Sequence, residues 1–224
     1  MFILHEAHQL LNTMEAGDVN RYWSHLYTSA CTIGSPFSGA TFRSTGVRNL
    51  DSLIYRECNL LASIFGVNPT ILIIDDWQCP NAFAYLGVSD PGDYGTIYLG
   101  IRLLRDELFS MDKGLLAVVG IMAHEFAHIL QWKNKSQLVG KYRELHADFL
   151  AGYYLGVQNY IPYRDLCAFA RSLFYKGDYN FWNPDHHGTP QERVDAMNMG
   201  YSFGQSGRQI SLAYLKGDEM IRGF

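Results

Sequence analysis

An excess of positive charge is missing from this chain. Its 18 Lys and Arg are answered by 22 Asp and Glu, for a formal net charge of −4. The densest basic stretch, Lys133-Asn134-Lys135, carries only two charges. A nucleic-acid binder shows a basic excess or stripe, so that partner class is excluded. A long hydrophobic run is missing too. No stretch approaches the ~18 apolar residues of a spanning helix, and the best, Gly114 to Met122, is nine residues long and leads into His124 and Glu125. The N-terminus, Met1-Phe2-Ile3-Leu4-His5-Glu6, has neither the basic region nor the apolar core of a secretory signal. These absences lead to the expectation of a soluble, cytoplasmic chain with no membrane span. Paired cysteines are absent as well. Cys31, Cys58, Cys79 and Cys167 are scattered, with no C-x-x-C. That spacing excludes a disulfide framework and a cysteine zinc site, and leaves free, mostly buried thiols as the expectation.

What is present is a globular composition: 224 residues, 48% apolar and 18% charged, with no internal repeat. One domain over residues 1–224 is expected, with residues 1–45 as a helical N-terminal extension packed on or near it. Residues 5–30 read as two short helices, with Asp18 capping the second, and residues 32–40 as a loop rich in Gly, Ser and Pro. A helix follows over 47–65, with Gly66 as its stop. The run Thr70-Ile-Leu-Ile-Ile74 reads as a strand. Residues 81–86 and 96–99 read as a hairpin around the turn chemistry of Ser89-Asp-Pro-Gly-Asp93. Helices are expected near 101–110, 113–133, 138–157, 162–176 and 190–200. The last opens on Thr189-Pro190-Gln191-Glu192, a capping box with proline at its favoured position. Helices, a small sheet, then helices point to an α+β fold.

The most informative residues are His124-Glu125-Phe126-Ala127-His128. Four residues on a helix advance about 400°, so both histidines fall on one face, about 40° apart. They can ligate one cation, while Glu125 sits beside it as a general base toward water. The apolar run before them predicts a buried helix, and polar groups at its end need partners that a metal supplies. A catalytic zinc has three protein ligands and an open position. The third is expected from Glu144-Leu-His-Ala-Asp148, which begins after 15 intervening residues. Glu144 and Asp148 share a helix face, with the small residues Ala147, Ala151 and Gly152 on or near it. Glu144 is assigned as the ligand and Asp148 as the outer carboxylate that accepts a hydrogen bond from a ligating histidine. His146 remains the alternative ligand, pointing roughly 200° away from Glu144.

H-E-x-x-H followed by E-x-x-x-D on a second helix resembles the gluzincins. Three further stretches resemble the M48 family of zinc metallopeptidases: Asn81-Ala82-Phe83-Ala84, Gly95-Thr96-Ile97-Tyr98-Leu99 and His187-Gly-Thr-Pro-Gln-Glu-Arg193. The last is also similar to an H-G-T-x-x-x-R element of the neutral zinc metallopeptidases. The resemblance covers about residues 47 to 200, with its motifs in the family's order. It implies a zincin-like fold with a small sheet on the zinc helix, one Zn2+ per chain, and hydrolysis of a peptide or protein substrate. It implies further that Asn81, Ala82, Phe83 and Ala84 form a substrate-binding edge strand, and that His187 and Arg193 face the oxyanion. His186 is the neighbour from which His187 must be distinguished. For Arg193 the competing role is an ion pair with Glu192, Asp195 or Glu144. Set against the peptidase are an inactive zincin-like binding scaffold, disfavoured by Glu125, and a zinc amidohydrolase acting on other substrates.

Overall fold

The computed structural model describes residues 40–76, 80–86, 95–110, 114–158, 161–176 and 187–224. The expected helices in 5–30, nearly all of the loop over 32–40, the turn at 89–93, Cys31, Cys79 and His186 lie outside the described residues.

Four strands form one mixed sheet: β1 (Thr41–Phe42), β2 (Thr70–Ile74), β3 (Ala82–Tyr85) and β4 (Thr96–Gly100). Their order is β1-β2-β4-β3. β2 and β4 run parallel, and β3 pairs antiparallel with β4, with Ala82 opposite Leu99 and Tyr85 opposite Thr96. The helices are α1 (Arg48–Phe65), α2 (Ile101–Ser110), α3 (Gly114–Lys133), α4 (Gly140–Val157), α5 (Cys167–Lys176), α6 (Pro190–Gln205) and α7 (Ile210–Ile221). The chain is therefore α+β and mostly helical. A 3₁₀ turn over Tyr163–Leu166 replaces the first turn expected of α5.

Sequence chemistry explains the main boundaries. α1 buries Leu50, Leu53, Ile54, Leu61 and Phe65 along one stripe and stops at Gly66, whose φ of 64° is left-handed. α3 is apolar all round, as a fully enclosed helix must be. By length and composition it could cross a membrane, but here it is the core helix, with nearly its whole surface covered by α1, α2, α4, α5 and β3. Each fully covered Leu, Ile, Met or Phe along it contributes about 1.5–3 kcal/mol of burial.

Asp76 sets the edge of the sheet. Its buried carboxylate accepts from the backbone N–H of Arg102 (2.7 Å) and Leu103 (3.0 Å), at the start of α2, and of Asn81 (2.9 Å), just before β3. One side chain thus satisfies two unpaired donors of a helix start and anchors the entry to the edge strand. Burial raises its pKa, against the pull of these same donors.

α6 runs five residues past the expected end and α7 was not anticipated. Gly200 and Gly204 lie inside α6 because it packs backbone to backbone on α4. A Cβ at Gly152 would stand 2.0 Å from the Met197 carbonyl oxygen, and one at Gly200 would stand 1.8 Å from that of Phe149. Gly156 against Tyr201 and Gly204 against Tyr153 repeat the contact one turn on. The pairings Asp148–Arg193, Gly152–Met197 and Gly156–Tyr201 advance together, so the two helices run parallel. Of the cysteines described, Cys58 is largely covered, with burial pushing its thiol pKa up to about 12. Cys167 is exposed, against the expectation of mostly buried thiols.

This close approach predicts that Gly200→Ala is destabilising although alanine is the better helix former. Overpacking of this kind costs about 1–3 kcal/mol, a fall of several degrees in thermal denaturation for a chain of this size. Ser202→Ala, exposed on the same helix, should shift stability by no more than about 0.5 kcal/mol.

Candidate metal centre

α3 and α4 form an antiparallel pair: His124 lies beside Asp148, His128 beside Glu144, and Gln131 beside Arg143. Helical periodicity brings His124 and His128 onto the face of α3 that meets Glu144 and Asp148 on α4. The two Nε2 atoms are 3.0 Å apart, and Glu144 Oε2 lies 3.4 Å from one and 3.6 Å from the other. One ligand atom from each of His124, His128 and Glu144 falls within 4.8 Å of the others, so the group could hold a metal ion.

Proton accounting tests that fit. His124 Nδ1 is 2.8 Å from Asp148 Oδ1. A carboxylate bonded there accepts, so Nδ1 carries the hydrogen. His128 Nδ1 is 2.9 Å from the Gln131 amide oxygen, which also accepts. Both rings therefore carry the hydrogen on Nδ1 and, when neutral, aim an Nε2 lone pair at the same point. Two lone pairs and a carboxylate oxygen meeting in a largely buried site repel one another unless a proton on one Nε2, or a metal ion in its place, sits between them. Two imidazoles and a carboxylate fit a catalytic first-row metal site.

The charges around this point are mutually arranged. Burial works against the Glu144 carboxylate, but His128, His124 and His187 outweigh it and hold its pKa well below the ordinary value. Burial likewise works against the charged form of His124, yet Asp148, Glu144 and Glu125 hold its pKa up to about 9. Asp148 is wholly buried and shared: Arg193 donates from Nε to Oδ2 at 2.7 Å and from Nη2 to Oδ1 at 2.9 Å. Burial raises the Asp148 pKa, but the Arg193 and His124 charges override it and lower it.

The site opens into a cleft of about 430 Å3. Asn81, Ala82, Phe83 and Ala84 line one side; Ile121, Phe169 and Leu173 add apolar wall; Trp132, Arg143 and His187 complete the lining. Glu125 faces this space and makes no hydrogen bond among the described residues. His187, with half its side chain exposed, brings Nδ1 to 3.5 Å from Glu144 Oε2. Both halves of the capping box are made: Thr189 Oγ accepts from the Glu192 N–H at 3.2 Å, and the Thr189 N–H donates to Glu192 Oε2 at 2.8 Å. His187 therefore sits just ahead of a fixed helix start.

The structure brings His124, Glu125, His128, Glu144, His187 and the strand 81–84 to one cleft. Arg193 also touches the cleft, but it is 4% exposed and its guanidinium is engaged by Asp148. Of the ion-pair partners considered for it, Glu192 bonds Lys141 at 2.8 Å and Asp195 bonds Gln191. His146 is not a ligand here: it is fully buried, with Nε2 2.9 Å from the Tyr214 carbonyl oxygen on α7. Gln131 was missed by sequence reasoning. Its signal is its place one turn beyond His128 on the ligand face.

No protein-family model, curated protein or solved structure matches the chain.

Two outcomes follow from this geometry. The purified chain should bind about one divalent metal, and His124→Ala with His128→Ala should abolish binding. Because the His124 pKa stands at about 9 before metal enters, binding at pH 7 must displace a proton. Affinity should fall as pH drops below that value, and calorimetry in two buffers of different ionisation enthalpy should read the released proton. Separately, Arg193→Met leaves the buried Asp148 charge short of its partner. It should cost about 3–5 kcal/mol in denaturant unfolding and weaken metal binding, rather than lower turnover alone.

Proposed function

We propose that the chain is a zinc-dependent endopeptidase of zincin-like fold, acting on extended peptide segments. The observation that carries this reading is the pair of Nδ1–H histidines aiming Nε2 lone pairs, with Glu144, at one point beside Glu125. An ordinary core histidine pair has no reason to share that arrangement with an adjacent carboxylate that makes no hydrogen bond among the described residues. His124, His128 and Glu144 are the residues that would hold zinc, and a bound zinc supplies Lewis acidity toward a carbonyl oxygen and water.

The chain's own residues would do the rest. Glu125 takes a proton from the attacking water and passes it to the leaving amine. Asp148 and Gln131 keep the two imidazoles in the ligating tautomer. His187, at the cleft rim, is the favoured donor to the developing oxyanion, and Arg193 acts through Asp148 as a positioning residue. The edge strand supports a peptide substrate. The Asn81 carbonyl accepts from the Gly100 N–H at 3.0 Å. By the alternation of an antiparallel ladder, Ala82 and Ala84 turn their backbone groups away from β4. A substrate strand laid along this edge would be bound by backbone hydrogen bonds, largely independent of its sequence.

Chelator-sensitive cleavage of a loosely folded protein such as casein tests the reading, with small esters and amides as the comparison. Glu125→Gln should keep metal content and thermal stability while lowering hydrolysis by ~10²–10⁴-fold. Cleavage by that variant at the wild-type rate would remove the general base and with it this mechanism.

A further inference from the structure

The proton on His128 is determined from the far side of the molecule. The Tyr214 carbonyl on α7 can only accept, so the His146 Nε2 contact at 2.9 Å is an N–H donation. His146 is fully buried, and an imidazole that carries its hydrogen on Nε2 offers Nδ1 as an acceptor. Gln131 Nε2 lies 3.1 Å from that Nδ1. The other hydrogen on Gln131 Nε2 goes to the Arg143 carbonyl at 2.9 Å, again a group that only accepts. Two acceptors on one side fix the carboxamide, and its oxygen is left to face His128 Nδ1 at 2.9 Å.

The consequence reaches the ligand atom. With an oxygen opposite Nδ1, the His128 hydrogen belongs on Nδ1 and the Nε2 lone pair is free. A reversed carboxamide would put an N–H there instead. The hydrogen would move to Nε2, only 3.0 Å from His124 Nε2, in the place of the metal. Gln131 is 1% exposed, so solvent offers no alternative partner. The far end of the relay is equally tight: the His146 and Tyr214 rings meet edge to face at 4.7 Å. A Cβ at Gly217, on α7, would stand 2.8 Å from His146 Cδ2.

We infer that Gln131 and His146 are positioning residues that couple the docking of α7 to metal affinity by selecting the tautomer of His128. This goes beyond the peptidase reading and rests only on the ligand set His124, His128 and Glu144.

The test uses the full chain. Zinc is titrated in competition with a chromophoric chelator, and nitrogen NMR of the imidazoles reports which nitrogen of His128 carries the hydrogen. Wild type should show Nδ1–H at His128. Gln131→Met should lower zinc affinity by ~10–100-fold, the range for loss of a ligand's hydrogen-bond partner, and mix the tautomers. Gln131→Glu keeps an acceptor opposite Nδ1, so His128 should retain its Nδ1–H tautomer even though the donation to the Arg143 carbonyl is lost. Gly217→Ala, touching neither ligand nor Gln131, should lower zinc affinity in the folded protein by pushing His146 off its partner. Wild-type affinity in Gln131→Met or in Gly217→Ala overturns the inference, as does an Nε2–H tautomer of His128 in the wild type, which needs no variant to fold. If the wild-type chain binds no zinc at all, the metal reading falls with it. Zinc bound equally by wild type and variants defeats the relay alone.

Discussion

The Asp148 carboxylate is the interaction on which the rest depends. It is wholly buried, and a lone buried carboxylate is not sustainable in a protein interior. Arg193 supplies a forked, bidentate counter-charge, and His124 supplies the remaining donor. Three helices therefore have to meet at one place: α4 carrying the carboxylate, α6 carrying the guanidinium, and α3 carrying the imidazole. The glycine contacts between α4 and α6 serve this requirement. A bulkier seam would hold the two backbones apart and take Arg193 out of reach of Asp148. The packing between these helices and the orientation of the His124 imidazole are thus one constraint.

A second anchor acts from the opposite wall of the cleft. Asp76 ties the start of α2 to the residue preceding β3, so the edge strand is held against α3 at a fixed height relative to His124 and Glu125. Gly100 must lack a side chain for this, since a Cβ there would stand 2.0 Å from Asp76 Oδ2. The apolar surfaces of Ile121, Phe169 and Leu173 fill the space between these fixed points. Apart from Asn81 and His187, which stand just ahead of β3 and α6, the described lining of the cleft lies on regular elements, which limits how far its polar groups can drift.

Much of the arrangement is legible in the sequence because period carries it. His124 and His128 declare a shared face by their spacing, and Glu144 and Asp148 do the same on the next helix. The capping box at Thr189 announces a helix start to within a residue. Other features leave no such trace. The role of Gly200 and Gly204 shows only once α4 is seen lying against them. Gln131 is an ordinary residue for a helix surface until the partners of its amide nitrogen, the Arg143 carbonyl and His146 Nδ1, are known. For Arg193 the sequence offered Glu192 and Asp195 close by and Glu144 on α4, and its partner is Asp148, one turn beyond Glu144 on that helix, which no local pattern singles out. α7 lacks a capping signal at its start, since Gln209 makes no side-chain cap, so it went unanticipated despite its contact with His146.

The order in which the chain is made gives the placement of these groups a further meaning. The three side chains that could hold a metal ion lie within residues 124 to 144, whereas the groups that orient them extend to Arg193 and the carbonyl of Tyr214. A growing polypeptide thus contains His124, His128 and Glu144 before it contains all the charges and carbonyls that aim them. Until α6 and α7 have been synthesised and docked, Asp148 lacks its guanidinium partner and His146, behind Gln131, lacks its acceptor. The arrangement of the site consequently depends on residues as far as Tyr214, and a nascent fragment ending before α6 carries the three side chains without their full support.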